Sequence, residues 1–356
     1  MAASLSSVKL PKLEVQKSMR TFSLGVFAGA LIFALAASGV AQDFGIGAAS
    51  FLRRGVDARA LGMAGAFSAV AEGYSAMYWN PGGLARTPSP ELGGMYMNLY
   101  NAGIYLNFFA GVLGFDLPEE AQTQSEPLSS FLPRRLGGGL AFTEMATEVL
   151  AYDIQGNPLG LIRYSEAIYS LGLGAWIPRL GYAGAVAKVY SFRAPRAGRD
   201  GGDATAFGLG FDLGLSLPVW DGLWLGLSAM DVGNTKVKWR NTALEPTDLV
   251  SGRYTLGLAF TASGLAFEND RLLLALDVAY EPLVDSLAVR AGLEYTLFFV
   301  SLRAGAVWRP GMPWAFTFGA GIHALSLRLD AALVQNREIQ VEGAGDTIVL
   351  SAALLF

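Results

Sequence analysis

Large apolar residues alternate with small or polar residues along much of the chain. In FGLGFDLGLSL, residues 207–217, every odd position is large and apolar, whereas the even positions carry glycine, aspartate or serine. Such an alternation is typical of a β-strand with one apolar face and one small or polar face. The same pattern returns in LAVRAGLEY (287–295), WAFTFGAGI (314–322) and LSLRLDAAL (325–333).

From residue 92 onward these runs predict about fourteen strands, each close to the roughly ten residues that cross a bilayer at a tilt. The uncharged segment 93–115 fits two strands with a turn near Asn101-Ala102-Gly103 better than a membrane helix, because it contains three asparagines and five glycines. Short connections such as VWDGLW alternate with long polar ones such as SFRAPRAGRDGGDA, as in outer-membrane barrels.

Two connections stand out. Residues 116–137 fall where a short turn is expected, so we interpret them as a periplasmic insertion. The stretch around Gly156-Asn157-Pro158 is predicted to be the tip of a long hairpin that reaches outward from the membrane.

The apolar faces are predicted to contact lipid. In a soluble sandwich the opposite faces would meet water and carry lysine, glutamate and threonine, whereas here they carry mainly glycine and alanine. The predicted fold is therefore all-β, a transmembrane antiparallel β-barrel of about 14 strands. Tryptophans near strand ends are expected at the two membrane interfaces. They are Trp176, Trp220, Trp224, Trp308 and Trp314.

The chain ends in DTIVLSAALLF, where apolar residues alternate up to the C-terminal Phe356. An aromatic residue that ends a lipid-facing strand resembles the terminal signal by which outer-membrane barrels are recognised for insertion. The alternative is a core strand that happens to end the chain. We expect the barrel-assembly machinery to be a partner through this strand.

The amino-acid composition narrows the classes of protein to which the chain can belong. Charged residues make up only 16% and hydrophobic residues 52%, against roughly 25% charged residues in soluble domains. The chain has no cysteine, which excludes disulfides, thiolate metal sites and a cysteine nucleophile. Its single histidine, His323, leaves little room for histidine catalysis or a metal site. We therefore expect no enzyme activity, no cofactor and no metal.

Residues 1–41 are interpreted as a signal peptide. Basic residues precede the uncharged run TFSLGVFAGALIFALAASGVA, and small residues before Gln42 suit cleavage at that point. A retained membrane helix is the alternative, because the run is near the ~20 residues that span a bilayer. Residues 1–41 carry four basic residues and one acidic residue, so the remaining chain has a formal charge of −7 instead of −4. This charge is unsuited to nucleic-acid binding.

Inward-facing charges are predicted mainly in the second half of the barrel, whereas the first half has a largely uncharged lining. The inward charges are Asp212, Asp277, Arg290, Glu294, Arg303, Arg328 and Asp330. They fit either a polar lining for a solute or plug, or a ladder of structural ion pairs that closes the interior. Because unpaired buried charges are costly, the pattern favours the ladder.

Residues 42–91 are predicted to form a plug inside the barrel, which itself comprises residues 92–356. The plug segment is rich in small residues that allow close backbone packing. Its corner, Asn80-Pro81-Gly82, is stiff at the proline and permissive at the glycine. Its charged cluster consists of Arg53, Arg54, Asp57 and Arg59. We expect these arginines to meet inward acids such as Asp212 and Asp277.

The stretch GVDARALGMAGAFSAVAEGYSAMYWNPGGLA, residues 55–85, resembles the N-terminal signature of the PorV/PorQ family, within the wider group of FadL-like outer-membrane proteins. That signature ends in Trp-Asn-Pro-Ala-Gly-Leu-Ala. Trp79, Asn80, Pro81 and Gly83 match it, whereas Gly82 replaces an alanine. RYTLGLAF, DRLLLALDVAYEP, VRAGLEY and GAGIHALSLRLDAALV also resemble strands of that family in order, so the resemblance covers nearly the whole mature chain.

The resemblance implies a fourteen-stranded barrel with an N-terminal hatch, whose corner would be Asn80, Pro81 and Gly82. The glycine in place of alanine is expected to loosen this corner. In FadL-like transporters the hatch blocks the lumen, and hydrophobic molecules such as long-chain fatty acids enter and leave through the wall. PorV-like members are instead associated with a protein secretion machine and bind its cargo at the cell surface.

The leading hypothesis is passive uptake of hydrophobic, fatty acid-like compounds across the outer membrane of a diderm bacterium. A cavity beside the hatch would support it, and a barrel packed solid from end to end would count against it. The alternative is a PorV-like component of protein secretion or assembly that binds cargo or partner proteins. An outer-membrane protease or lipase is a third hypothesis, which the single histidine and the absence of cysteine disfavour. Expected partners are outer-membrane lipid and either a hydrophobic ligand or secretion-system proteins.

Overall fold

The computed structural model describes residues 47–118, 132–152, 156–336 and 345–356. The predicted signal peptide and most of the predicted insertion at 116–137 therefore lie outside the described residues. No helix within these ranges is long and apolar enough to cross a membrane.

One antiparallel sheet of sixteen strands accounts for most of the described chain. The strands are β1 Glu91–Leu99, β2 Ile104–Asp116, β3 Arg135–Tyr152, β4 Pro158–Ile177, β5 Gly181–Ala194, β6 Ala204–Trp220, β7 Leu223–Met230, β8 Thr235–Arg240, β9 Thr247–Val250, β10 Arg253–Ser263, β11 Asp270–Glu281, β12 Ser286–Leu297, β13 Val300–Trp308, β14 Ala315–Ala324, β15 Leu327–Val334 and β16 Thr347–Leu355.

The sheet closes on itself. β1 is hydrogen-bonded to both β2 and β16, and β5 pairs with both β4 and β6. Strands β1–β7 and β10–β16 thus form a ring of fourteen, which confirms the predicted transmembrane antiparallel β-barrel. The two remaining strands, β8 and β9, form a hairpin that pairs with the first residues of β6.

The two ends of the barrel differ in their connections. We call the end at which β1 begins and β16 finishes the terminal end, and the opposite end the loop end. At the terminal end, residues 178–180, 221–222, 298–299 and 325–326 form short turns. At the loop end, residues 195–203 and the β8–β9 region form long connections. The predicted alternation is confirmed for these connections, whereas residues 100–103 and 282–285 are short connections at the loop end. The two longest strands, β3 and β4, meet at the loop end around Gly156-Asn157-Pro158.

The outer surface is apolar, as predicted. On β6, Phe207 and Phe211 are 50% and 58% exposed, whereas Asp212 between the outward positions is fully buried. On the last strand, Ile348 and Leu350 point outward in the same way. The large apolar face is thus the lipid-facing face of the barrel.

The tryptophans do not all lie at the membrane interface. Trp220 and Trp314 are exposed near strand ends. Trp224 instead packs against the interior, where the Arg86 guanidinium lies 4.0 Å from its ring centroid. The Trp176 ring stacks on that of Tyr182, which in turn contacts the Trp224 ring. The interfacial prediction for Trp224 is wrong because a position near a strand end does not fix which face a side chain takes.

Residues 47–90, called the plug from here on, lie within the ring of strands. Their short elements are the 3-10 turns Ser50–Arg54, Gly73–Ser75 and Pro81–Arg86 and the helices α1 Ala58–Gly62 and α2 Ala76–Trp79. A further 3-10 turn, Pro282–Val284, connects β11 and β12. Helix α1 contacts β13–β16 on one side, and the turn Pro81–Arg86 contacts β2–β6 on the other. Phe67 and Tyr74 are fully buried, so the core of the molecule is the plug together with the inner face of the wall.

Candidate functional site: the interface between plug and barrel wall

Inward-facing glycines of the wall touch the backbone of the plug. A Cβ atom added to Gly184 of β5 would lie 2.2 Å from the Pro81 carbonyl oxygen. One added to Gly137 of β3 would lie 2.2 Å from the Leu84 carbonyl oxygen. These positions require glycine while the plug is in place, so the small inner face is a docking surface for the plug. Other wall glycines in the same relation to the plug are Gly174, Gly214, Gly226, Gly292 and Gly305.

Asn80 joins two turns of the plug to the wall. Its side-chain amide donates to the carbonyl oxygens of Ser68 at 2.7 Å and of Leu215 on β6 at 2.8 Å. Its side-chain oxygen accepts from the Gly82 N–H at 3.0 Å. Asn80 is fully buried, so water competes little for these hydrogen bonds.

Trp79 holds the neighbouring part of the plug. Its indole N–H donates to the Val56 carbonyl oxygen at 2.9 Å. Its ring meets that of Tyr78 edge-on, with 5.0 Å between centroids, and lies 6.1 Å from that of Phe67. Pro81 then begins the 3-10 turn Pro81–Arg86. The Trp-Asn-Pro corner thus connects the beginning, middle and end of the plug.

Gly82 and Gly83 are packed too closely for a side chain. A Cβ atom on Gly82 would lie 2.9 Å from both the Ser216 nitrogen and the Tyr182 oxygen of the wall. One on Gly83 would lie 2.1 Å from the Ala71 oxygen inside the plug. The structure therefore gives glycine at position 82 a packing role, in place of the loosening expected from the sequence.

Arg59 connects the plug to the wall through a buried ion pair. Its Nε and Nη2 atoms each donate to the Glu294 carboxylate of β12 at 2.8 Å. Glu294 also accepts from Arg303 of β13 at 2.6 Å and from Arg271 of β11 at 3.1 Å. A carboxylate shared by three guanidinium groups fixes the plug relative to three adjacent strands.

The plug arginines do not meet the predicted acids. Arg53 pairs with Glu281 of β11 at 2.9 Å, and Arg59 pairs with Glu294, so neither reaches Asp212 or Asp277. Arg54 donates to the Tyr100 hydroxyl, and its guanidinium lies 4.8 Å from the centroid of that ring. The expected pairing is therefore wrong.

Asp277 binds the plug backbone instead of an arginine. It accepts from the N–H groups of Phe67 at 3.0 Å and Ser68 at 2.9 Å, and from the Ser68 hydroxyl at 3.0 Å. Asp57 of the plug makes a side-chain contact with Ser351 of β16, beside a hydrogen bond within the plug. Its Oδ1 accepts from the Arg59 N–H at 3.0 Å and lies 3.2 Å from the Ser351 hydroxyl oxygen.

A ladder of ion pairs runs along the inner face of the second half of the barrel. Arg303 pairs with Asp330 at 2.7 Å in addition to Glu294. Arg328 pairs with Glu91 at 2.7 Å across the closure of the ring. These charges satisfy one another and the plug, as the ladder hypothesis predicts.

Sequence analysis missed several buried charges, including a cluster in the first half. Lys188 of β5 lies 2.7 Å from Asp212 and 2.8 Å from Asp231, and Asp231 accepts from the Tyr190 hydroxyl at 2.6 Å. The alternation in GAVAKVYS puts Lys188 on the same face as the buried Val186, so the pattern carried this signal. The expectation of a largely uncharged lining is wrong here. The other missed charges are Glu91, Glu166, Arg253, Asp270 and Glu281.

The cavities in the interior of the barrel are much smaller than a concavity that includes its outer surface. Two interior cavities, of about 60 and 10 Å³, lie beside the plug in the described part of the chain. A much larger apolar concavity, of about 1610 Å³, is lined by residues of β1–β5 and β13–β16, among them the outward Leu92, Tyr96 and Phe109. No group of acidic or histidine residues suited to a metal ion occurs among the described residues.

The C-terminal residue lies at the terminal end of the barrel. The Phe356 N–H donates to the Pro90 carbonyl oxygen at 2.9 Å, and its side chain is 69% exposed. Its role as an insertion signal stays a prediction.

No family profile and no curated protein matches the sequence of this chain. Solved structures do match its fold. The toluene transporter TodX of P. putida has a TM-score of 0.52 at 16% identity, covering 85% of this chain and 99% of that one. The monoaromatic hydrocarbon channel CymD has a TM-score of 0.52 at 12% identity, covering 85% and 98%.

A FadL homologue of Pseudomonas aeruginosa gives a TM-score of 0.53 at 13% identity, again covering 85% of this chain and 98% of that one. At such identities the likeness concerns the fold. The match extends over almost the full length of each of these proteins. The chain therefore has the fold of the FadL-like barrels.

Proposed function

We propose that the protein is an outer-membrane channel for the passive uptake of hydrophobic small molecules, in which the plug is the gate. The observation that carries this proposal is a sector of the wall, residues 95–97 of β1 and 108–110 of β2, that is apolar on both faces. Met95, Met97 and Phe108 point inward, each at most 2% exposed, and pack against the plug. Tyr96 and Phe109 of the same strands line the outer concavity.

A wall of this kind suits a molecule that passes between the lumen and the membrane. An apolar compound exchanges contacts with the inner methionines for contacts with the outer aromatic residues without meeting a charge. Methionine side chains are flexible and adapt to ligands of different shape. TodX is a toluene transporter and CymD a monoaromatic hydrocarbon channel, which supports the same class of substrate for this fold.

The gate must move for uptake to occur, because the plug fills the ring of strands and the two cavities described beside it are too small for a hydrophobic substrate. The structure corresponds to the closed state of the proposed channel.

We also propose a cellular location and a family group for the protein. We place the barrel in the outer membrane of a diderm bacterium, after removal of residues 1–41 and insertion by the barrel-assembly machinery, within the PorV/PorQ group. A secretion role, with cargo or partner proteins as ligands, is the alternative, and no contact in the described residues favours it over uptake.

Uptake of a labelled long-chain fatty acid and of labelled toluene into proteoliposomes tests the proposal. The intact protein is compared with the Asn80→Ala, Pro81→Ala double variant and with Arg163→Gln, which changes an exposed arginine of β4 outside the β1–β2 sector. We expect saturable uptake that changes in the double variant and not in Arg163→Gln. A folded barrel that takes up neither compound would refute the transport function and favour partner binding.

A further inference from the structure

The β8–β9 hairpin has a charged outer face and a buried inner face. Lys236, Lys238 and Arg240 of β8 are exposed, whereas Thr235 and Val237 are buried. Because alternate residues of a strand point to opposite faces, the three cations form one row with a spacing of about 7 Å.

The inner face of the hairpin is held by polar and aromatic contacts. The Trp239 indole N–H donates to the Asp248 carboxylate of β9 at 2.7 Å. The Trp239 ring also lies 6.3 Å from the ring of Phe192, between centroids. At the start of β8, the Thr235 hydroxyl donates to Asp231 at 2.8 Å. The hairpin therefore presents its row of cations in a fixed orientation.

This row continues the lipid-facing surface of the barrel. Lys238 stands directly opposite Phe207 in the pairing of β6 with β8. Paired residues of antiparallel strands lie on the same face of the sheet. Phe207 and the next outward residue of β6, Leu209, are 50% and 57% exposed. Lysine side chains thus lie beside apolar side chains that contact lipid, at the loop end of the wall.

The charges of Lys236 and Lys238 are not used within the described part of the chain. There, neither side chain forms a hydrogen bond or an ion pair. The acids of the neighbouring loop are engaged by other groups.

In that loop, Asp203 pairs with Arg193. Asp200 accepts a hydrogen bond from the Asn241 side chain at 2.7 Å. The turn between β8 and β9 carries one exposed acid, Glu245, which lies beyond the Arg240 end of the row. The two lysines at the other end are therefore open to an anion from outside the chain.

We infer that Lys236 and Lys238 bind the anionic head group of a membrane lipid at the loop end of the barrel. A lysine combines a flexible apolar stem with a compact charge, so the stem can lie along apolar surface while the ammonium group reaches a phosphate. The acyl chains of the same lipid would contact Phe207 and Leu209. A free anion would leave these apolar contacts unused, so the arrangement favours a lipid. The site lies outside the barrel and is independent of what passes through the lumen.

Native mass spectrometry of the full-length protein, released from non-ionic detergent, tests this inference. The probes are phosphatidylglycerol and phosphatidylcholine with identical acyl chains, and inorganic phosphate is the competitor. We expect the unchanged protein to retain phosphatidylglycerol in preference to phosphatidylcholine by at least about fivefold, the effect of one lysine near an anionic surface. The Lys236→Gln, Lys238→Gln variant should lose this preference. Inorganic phosphate at the concentration of the lipid should not displace it.

Arg163→Gln is the matched control for the single variant Lys238→Gln, because each removes one exposed positive charge from the outer surface. Arg163 already pairs with Glu144 at 2.9 Å, and its side chain is 61% exposed. Arg163→Gln should therefore keep the lipid preference, whereas Lys238→Gln should weaken it.

Three results would overturn the inference. They are equal retention of the two lipids by the unchanged protein, an unaltered preference in the double variant, and an equal loss in Arg163→Gln and Lys238→Gln. Displacement of the lipid by inorganic phosphate would assign the lysines to free anions and would also overturn it. All substituted side chains are exposed, so the variants should keep the barrel fold. None of these measurements requires transport, so failure of the uptake assay leaves them interpretable.

Discussion

Arg59 of the plug and Glu294 of β12 are joined by two parallel hydrogen bonds, each with a nitrogen–oxygen distance of 2.8 Å. The two residues are 235 positions apart in the chain. Glu294 is 1% exposed and Arg59 is 7% exposed, so water competes little for this pair. The position of the plug thus depends on a carboxylate that also neutralises Arg271 and Arg303.

Because Glu294 is shared by several arginines, its removal should lower the stability of the protein more than removal of Arg59. Glu294→Gln leaves two buried arginines short of a carboxylate and should lower the free energy of unfolding by about 3–5 kcal/mol. Arg59→Met leaves Glu294 neutralised by Arg303 and should cost about 1–3 kcal/mol. Urea unfolding in detergent measures both values.

The exposed pair of Arg163 and Glu144 provides the reference for this comparison. Arg163→Gln should cost less than about 1 kcal/mol, because solvent screens such a pair. An Arg59→Met variant less stable than Glu294→Gln would contradict the predicted order of stabilities.

Adjacent glycines of β3 test the docking of plug backbone on the wall. Gly137→Ala places a methyl group within 2.2 Å of the Leu84 oxygen, whereas Gly138→Ala meets nothing closer than 3.6 Å. Gly137→Ala should lower the stability by about 1–3 kcal/mol through overpacking, and it should expose the plug to limited proteolysis. Gly138→Ala should stay within about 0.5 kcal/mol of the parent. Equal protease sensitivity of the two variants would count against backbone docking.

A disulfide between plug and wall should close the proposed channel. Asp57 Oδ1 and Ser351 Oγ lie 3.2 Å apart, and the chain has no cysteine of its own. In the Asp57→Cys, Ser351→Cys variant, oxidation should reduce uptake into proteoliposomes to the level of empty vesicles, because the plug is then tied to β16. Reduction of the same sample is the control and should restore uptake. Unchanged uptake by a fully oxidised sample would show that the plug is not the gate.

Lys188 should be essential to the charged cluster in the first half of the barrel. Lys188→Met leaves Asp212 and Asp231 as adjacent buried carboxylates and should lower the free energy of unfolding by about 3–5 kcal/mol. Adding Asp212→Asn to this variant removes one of the two charges and should recover part of the loss. Denaturant unfolding of the single and double variants checks this, and a double variant less stable than Lys188→Met would exclude charge repulsion as the cause.

The barrel was predictable from the sequence because lipid imposes a simple rule on every strand. Phe207 and Phe211 must be apolar and outward, and their period of two follows from the pleat. The β8–β9 hairpin was not predicted. Lys236, Lys238 and Arg240 of β8 are exposed, so this strand has a charged outer face in place of the apolar face that identifies a lipid-facing strand.

The partners inside the barrel were less predictable than the wall. The alternation of apolar and polar positions identified Glu294 and Asp277 as inward residues. It did not predict the pairs, which are Arg59 with Glu294 and Arg53 with Glu281. Which acid a plug arginine meets depends on the depth and rotation of the plug within the ring. Neither quantity is encoded in a local pattern.

The glycine docking surface has a mechanical consequence. Where plug backbone packs on wall glycines, no wall side chain protrudes to block movement of the plug along the barrel axis. Resistance to such movement of residues 47–90 would then come from a few polar contacts, chiefly those of Asn80, Arg59 and Asp277. Such a body is expected to slide as one unit once they are released, with little need to unravel.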